Sequence, residues 1–221
     1  MERLEDLLIE GMKIYQDDDL YHFTSDAVLL SKFTKVKKGD VVADFCSGSG
    51  IVGLHLYALN KPLIKSVTMF EMQKPLFDLS KKSVELNNLT DVFDGVNIKL
   101  QDVDSCYYGK FSLIVCNPPY MSIDGGESSE KDSIAVCRFE KTLTLCELVK
   151  AISKCLKFGG RVNLVHRADR LCEVIRELQK YGIEPKKLQF VTSGKKEPYI
   201  FMMEATKGGK SGIKVLREIE N

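Results

Sequence analysis

Seven short runs rich in apolar and β-branched residues are spaced along the 221-residue chain, and helical stretches separate most of them. That alternation constrains the fold more than any other feature, because strands joined through helices assemble into a parallel sheet covered on both faces. The runs are Val41–Phe45, Ser66–Phe70, Val96–Leu100, Phe111–Cys116, Arg161–Val165, Lys187–Thr192 and Tyr199–Ala205. Apolar residues at helical spacing predict helices over Ile51–Leu59, Pro75–Asn87, 139–157 and Arg170–Tyr181. Pro75 falls in a first turn, which tolerates proline. Gly159-Gly160 reads as the end of one helix and Gly182 as the stop of the last. Upstream, a short strand is expected near Met12–Tyr15 and a turn at Asp17-Asp18-Asp19, and Thr24 or Ser25 can cap a helix running to about Phe33. The last two runs are joined too tightly for a parallel crossover, so one of them must run antiparallel. The expectation is a doubly wound, Rossmann-like α/β fold: a mostly parallel sheet of about seven strands with an antiparallel hairpin at its far end.

The length suits one sizeable core, and residues 1–221 are read as a single domain. Net charge is only +1, but its distribution is polarised. Residues 1–26 carry eight acids against two bases, and residues 186–217 carry eight bases against two acids. Such a chain can steer a polyanion onto one face; scattered, solvated lysines would give the same count. Cysteines stand at 46, 106, 116, 137, 146, 155 and 172. An odd number without C-x-x-C spacing argues against a disulfide framework and a zinc site, so no metal is expected. A reducing, cytoplasmic location follows. The acidic start is unlike a signal or transit peptide, and no apolar run approaches the length of a membrane span.

The run Val41–Phe45 leads into Asp44-Phe45-Cys46-Ser47-Gly48-Ser49-Gly50. Ligands of open α/β sheets bind beyond the carboxyl ends of the strands. Gly48 and Gly50 let the backbone approach a ligand where a Cβ would block it; a tight strand-to-helix turn would use the same glycines. Asp44 can accept hydrogen bonds from an ammonium group. Glu71 closes the second run, where a carboxylate can take both hydroxyls of a ribose. Asp102 follows the third run and can accept from an adenine amine. Cys46, Ser47, Met72 and Gln101 belong to the same loops. A dinucleotide site aims amides at pyrophosphate, whereas this loop opens on an acid, which suits a cationic ligand without phosphate. The pattern D-x-C-x-G-x-G resembles the S-adenosylmethionine loop of class I methyltransferases rather than the G-x-G-x-x-G of nicotinamide enzymes.

The fourth run ends in Asn117-Pro118-Pro119-Tyr120. Two prolines fix φ and remove two amide donors, so carbonyl oxygens meet a pocket without competing N–H groups. An exocyclic NH2 has two protons to donate, and the Asn117 side-chain oxygen and the Pro118 carbonyl can accept both. Tyr120 offers a ring face for stacking. The tetrapeptide resembles the Asn/Asp-Pro-Pro-Tyr/Phe motif of methyltransferases that act on planar nitrogens: adenine N6, guanine N2, cytosine N4 and glutamine N5. In that resemblance Asn117, Pro118, Pro119 and Tyr120 are the catalytic residues.

Almost the whole chain resembles the bacterial methyltransferases that act on N6 of the adenine immediately 3′ of the anticodon in a valine tRNA. Phe23-Thr24-Ser25-Asp26-Ala27-Val28-Leu29-Leu30 matches that family's N-terminal signature, which implies that Phe23 and Asp26 lie near the methionine end of S-adenosylmethionine. Ala135, Arg138 and Glu140 fall where the family has Ala-Arg-His-Glu, while Cys137 and Phe139 depart from it. Arg138 is thereby a candidate substrate contact. A basic Lys-Gly-Gly-Lys segment follows the last run, as in the family. The resemblance implies that residues 1–36 cover the cofactor, that 207–221 form a basic tail, and that the partner is a tRNA anticodon loop. Lys195 and Lys196, with Lys207 and Lys210, are candidate phosphate contacts. Tyr21, His22 and Phe23 are a candidate aromatic wall. Neither His55 nor His166 has partners at metal spacing, so both are assigned to core or surface. Three other readings stay open: a protein glutamine-N5 methyltransferase, an enzyme of ribosomal RNA or DNA, and a non-catalytic RNA-binding protein.

Overall fold

The computed structural model describes residues 1–7, 9, 11–20, 24–119, 143–194 and 196–221. In chain order, strands β1 (Glu2–Asp6) and β2 (Lys13–Asp17) precede helix α1 (Ser25–Phe33), β3 (Asp40–Phe45), α2 (Ile51–Asn60), β4 (Ile64–Glu71), α3 (Lys74–Leu86), β5 (Phe93–Asn97) and β6 (Phe111–Cys116). Helix α4 (Leu145–Cys155), β7 (Leu156–Arg167), α5 (Leu171–Lys180), β8 (Ile183–Thr192), β9 (Ile200–Lys207), β10 (Lys214–Val215) and β11 (Ile219–Glu220) follow. The main sheet runs β5-β4-β3-β6-β7-β9-β8-β10, with β11 also on β8. Strands β3 to β7 are mutually parallel, and β9 is antiparallel to both of its neighbours. The sheet has nine strands: the seven expected, doubly wound with an antiparallel end, and the short β10 and β11 added beyond β8. From β3 the chain builds outward to β4 and β5, then returns to build β6 and β7 on the other side. The order therefore reverses between β3 and β6, the place where such sheets open a ligand crevice.

Side chains alternate across the central strands, as the pleat requires. Ala43, Phe45, Ile114 and Cys116 enter the core layer that includes α4 and α5 residues, while Val42, Leu113 and Val115 enter the layer beneath α1 and α2. Burial on both faces explains the near-continuous apolar runs. Cys116 and Cys155 are fully buried and pack as small hydrophobes. His55 receives or gives a 2.6 Å hydrogen bond at Nδ1 with Ser31 Oγ, tying α1 to α2. His166 is buried, and burial pushes its pKa down to about 4, so it stays neutral in the core.

Four expectations need correction. The third strand is Phe93–Asn97 rather than Val96–Leu100, and Leu100–Asp102 forms a 3-10 turn. Its register is set by β4, which pairs Val67 with Phe93 and Glu71 with Asn97. Gly95 hid the strand, yet a Cβ there would lie 2.8 Å from Phe77 Cε2, so the glycine makes room for α3. Gly159-Gly160 does not end the helix: α4 stops at Cys155 and β7 begins at Leu156. The start of α4 is marked by a capping box between Thr144 and Glu147; residues 139–142 of the expected helix lie outside the described residues. The N-terminal region forms a hairpin of two strands instead of one isolated strand. The hairpin docks on α3, with Tyr15 N–H donating to Ser83 Oγ at 2.9 Å and Lys13 N–H to Asn87 Oδ1 at 3.0 Å. The segment 207–221, expected only as a basic tail, supplies β10 and β11, both parallel to β8.

Candidate active site

Parallel register brings the two predicted loops together. Phe45 of β3 pairs with Phe70 of β4 on one side and with Cys116 of β6 on the other. The residues that follow, Cys46, Glu71 and Asn117, therefore leave three adjacent strands at one level of the sheet. Glu71 in turn pairs with Asn97 of β5, whose side-chain amide donates to the Glu71 and Met72 carbonyls at 2.8 and 3.1 Å. No local signal relates these segments, which lie up to 71 residues apart in the chain; the ladder does.

The glycine loop folds on backbone conformations that few residues adopt. Cys46 has φ +58°, Gly48 +55° and Gly50 +91°. For Cys46 this left-handed geometry costs about 1–2 kcal/mol, a strain of the kind found at ligand loops. The Ser47 N–H donates to the Phe70 carbonyl at 3.1 Å, and the Gly50 N–H to the Ser47 carbonyl at 2.8 Å. Gly50 opens α2, where a Cβ would crowd Met69 Sδ at 3.1 Å and Ser80 Cβ at 3.2 Å. At Gly48 a Cβ would meet nothing within 4 Å, so φ rather than space requires that glycine.

Gly53 was missed in the sequence, although an isolated glycine inside a helical run is a signal in itself. Its N–H donates to Asp44 Oδ2 at 2.8 Å, and a Cβ there would come within 3.0 Å of the same oxygen. With Gly48 and Gly50 it completes a G-x-G-x-x-G spacing, so glycine spacing alone does not separate this loop from a nicotinamide fingerprint. The acid that opens it does.

Asp44 and Glu71 give the site its electrostatic character. Burial, with the nearby Glu71 charge, pushes the Asp44 pKa up to about 7. Glu71 is likewise raised by burial, against backbone N–H donors that favour its charged form. Its Oε2 accepts from Gly48 N–H at 2.9 Å and its Oε1 from Gln73 N–H at 2.8 Å. The Met72 N–H also bonds this carboxylate, and of its roughly four acceptor sites three are thus engaged, leaving room for a ligand hydroxyl. Among the described residues, Asp44 Oδ1, Ser47 Oγ and Asn117 Oδ1 are all buried without a partner. Buried polar atoms are seldom left so, and three gathered at one sheet edge mark a place for a donor-bearing ligand.

Asn117 and Pro119 are half-buried and Pro118 is buried, directly after the fully buried β6. Asp26 is buried in the first turn of α1. Met72 is half-buried beside Glu71, and Gln101 and Asp102 are exposed on the 3-10 turn after β5. Lys196 lies at the same end of the sheet as Asn117, since Val191 and Ile200, on either side of its loop, stand level with Arg167. Lys207 and Lys210 lie at the opposite end: Arg161, at the amino side of β7, pairs with Thr206. Lys207 Nζ also donates to the Ser153 and Leu156 carbonyls. Charge that is clustered in sequence is thus divided between the two ends in space. The predicted positions Tyr21, His22, Phe23, Tyr120, Ala135, Cys137, Arg138, Phe139, Glu140 and Lys195 lie outside the described residues.

These groups fit S-adenosylmethionine. The acceptors Asp44 Oδ1 and Ser47 Oγ suit its ammonium and hydroxyl donors, and the two buried acids Asp44 and Glu71 suit its positive charge. Solved structures share the fold. Trm5 of Methanocaldococcus jannaschii, in complex with adenosine, is 16% identical with a TM-score of 0.67, covering 95% of this chain and 58% of that one. TYW2 of P. horikoshii, in complex with MeSAdo, is 13% identical with a TM-score of 0.66, covering 94% and 72%. Curated proteins named tRNA1(Val) (adenine(37)-N6)-methyltransferase are similar in sequence. That of Photobacterium profundum is 25% identical over 79% of this chain and 72% of its own length. That of Shewanella frigidimarina is 24% identical over 72% of this chain and 64% of its own length, just under two thirds. Residues 23–181 match the family model of the methyltransferase small domain, and the chain belongs to that family.

Proposed function

We propose that this enzyme transfers a methyl group from S-adenosylmethionine to the N6 amine of an adenine in RNA, the adenine immediately 3′ of the anticodon in a valine tRNA. The observation that carries the chemistry is Asn117 Oδ1, a buried acceptor without a partner among the described residues, at the edge where the glycine loop also opens. The substrate follows from the names of the relatives.

When bound, the cofactor supplies an electrophilic methyl group on a cationic sulfur. Asp44 and Ser47 hold its polar end, and Glu71 takes its ribose hydroxyls. Asn117 Oδ1 and the Pro118 carbonyl accept the two protons of the adenine amine, which turns its lone pair out of ring conjugation. Tyr120 stacks the base. As the nitrogen gains the methyl group it loses one proton to solvent along the Asn117 side. Fixing two reactants in an attack-ready pose can supply roughly 7–11 kcal/mol of the barrier. The target adenine leaves its stack at a cost of a few kcal/mol, which an anticodon loop lowers because it is single-stranded. With a tRNA substrate the reaction is cytoplasmic.

The test is transfer of labelled methyl groups into bulk tRNA, bulk ribosomal RNA and total protein from cells lacking the gene, followed by nucleoside mass spectrometry. N6-methyladenosine in tRNA is the expected product. Label confined to protein would replace this reading with glutamine methylation, and label confined to ribosomal RNA would move the substrate.

A further inference from the structure

At the end of the sheet opposite Asn117, β7 carries an irregularity that exposes an aromatic ring. Phe111 of β6 pairs with Leu156, and Leu113 with Arg161, so Lys157-Phe158-Gly159-Gly160 stand against the single residue Ser112. The extra residues bulge outward. Gly159 takes φ +73°, and a Cβ on Gly160 would come within 2.8 Å of the Lys157 carbonyl. Phe158 is 80% exposed at the tip. Its ring lies over Gly208, where any Cβ would overlap it.

At the start of β6 and the end of α4, where Phe111 and Leu156 pair beside the bulge, two lysines rest on aromatic rings. Lys154 Nζ donates to Tyr108 Oη at 3.0 Å and sits 5.1 Å from the centre of that ring. Lys110 Nζ lies 4.8 Å over Tyr107. The Gly109 N–H donates to the Lys154 carbonyl at 2.9 Å, pinning the Tyr108 turn to the end of α4. From there a groove of about 140 Å³ runs between the Leu100–Asp102 turn and α4, lined by Leu100, Gln101, Glu147, Lys150, Ala151 and Lys154. Lys150 and Lys154 are one helical turn apart and share one wall. Two of the neighbouring acids are engaged as caps: Glu147 accepts from Thr144 N–H, and Asp104 accepts from Cys106 N–H, which holds its carboxyl below the usual range, while Asp102 is exposed on the turn.

We infer that this lysine-and-aromatic surface, formed by Lys150, Lys154, Lys157, Lys110 and Phe158, binds the RNA strand that flanks the target base. The inference rests on the RNA reading above. Lysines along the groove meet successive phosphates, and Phe158 offers a ring face to an unstacked base. The six residues of β6 separate this end from Asn117; at roughly 3.3 Å per residue that is about 20 Å. A stacked strand rising roughly 3.4 Å per nucleotide covers it in about six nucleotides.

The experiment compares the full-length protein with Lys150→Glu/Lys154→Glu and with Phe158→Ser. Fluorescence anisotropy measures binding of bulk tRNA from cells lacking the gene across a salt series. Calorimetric titration of S-adenosylmethionine reports whether each variant retains its fold. The charge reversal is expected to weaken tRNA binding at least tenfold and to lower the slope of log affinity against log salt by roughly 1.4–1.8. Phe158→Ser should weaken binding with the slope unchanged, and cofactor affinity should stay as in the wild type for both. Wild-type tRNA binding with unaltered variants would overturn this surface alone. A wild type that binds cofactor and no RNA would overturn the RNA reading with it.

Discussion

Gln16 Nε2 donates to Ser49 Oγ at 2.7 Å, joining the N-terminal hairpin to the glycine loop, and both side chains are buried. Gln16 lies outside the stretch that matches the family model, yet it holds the loop that carries Ser47, Gly48 and Gly50. Gln16→Ala leaves the Ser49 hydroxyl buried without this donor, at a cost of about 1–3 kcal/mol. The expected result is a lower Tm and a several-fold higher Kd for S-adenosylmethionine, with kcat at saturating cofactor unchanged. Calorimetric titration beside steady-state kinetics checks it; a fall in kcat alone would contradict the assignment.

Asp44 makes cofactor binding proton-linked. Burial holds its carboxyl largely protonated up to about pH 7 in the free protein. A cationic ligand favours the carboxylate, so binding below that pH releases a proton and affinity rises with pH until about 7. Titration in two buffers of different ionisation enthalpy should reveal the release, and Asp44→Asn should remove it. The same raised pKa has a sign for stability. Between the ordinary 3.8 and about 7 the native state binds more protons than the unfolded chain, so this group's contribution is full below the window. It is lost as pH rises through about 7, and bound cofactor should flatten the trend.

Asn117→Ala removes the acceptor assigned to the amine and little else. Turnover should fall by at least about 10²–10³-fold, the scale seen when one preorganised hydrogen-bonding group is deleted. The Kd for S-adenosylmethionine should change only a few-fold. Near-normal turnover would displace Asn117 from the reaction.

Far from the site, Arg161 donates to Asp40 Oδ2 at 2.7 Å, and Asp40 Oδ1 accepts from Ser112 Oγ at 2.7 Å. Glu204 lies 3.9 Å from the same guanidinium and 2.7 Å from Lys187. Arg161, Asp40 and Glu204 are all buried. Arg161→Met would leave the buried Asp40 carboxylate without its ion-pair partner, while Glu204 keeps Lys187, and should cost about 3–5 kcal/mol. Denaturant unfolding measures this, and cofactor affinity of the folded fraction should be unaffected.

Cys46 at φ +58° discriminates among substitutions by backbone alone. Cys46→Gly should leave Tm within a few degrees of the wild type, because glycine adopts this conformation freely. Cys46→Val should lower it and weaken cofactor binding, since a β-branched residue is poorly accommodated there.

Much of the fold is legible along the chain because a strand's apolar run and a helix's spacing are local properties. Val41–Phe45 and Phe111–Cys116 stand as strands within one residue of expectation. Where glycine had two readings, local rules failed. Gly95 lies inside β5, just outside the run expected at Val96–Leu100; Gly159-Gly160, expected as a helix stop, is a bulge inside β7. In both places the sheet register decided, and register is set by the neighbouring strand.

By itself, the sequence determined the alternating α/β architecture, the acid-and-glycine loop from Asp44 to Gly50, and the Asn117-Pro118-Pro119 segment that follows a strand, since each is written in contiguous residues. Only the tertiary structure decided that Phe45 pairs with Phe70 and Cys116, which places the two loops and Glu71 at one edge. It also decided that Gly53 closes on Asp44, that Gln16 reaches Ser49, and that Lys196 and Lys207 face opposite ends. The reason is physical: propensity and spacing act over a few residues, whereas hydrogen-bonded ladders and buried partners join positions whose separation along the chain carries no signal.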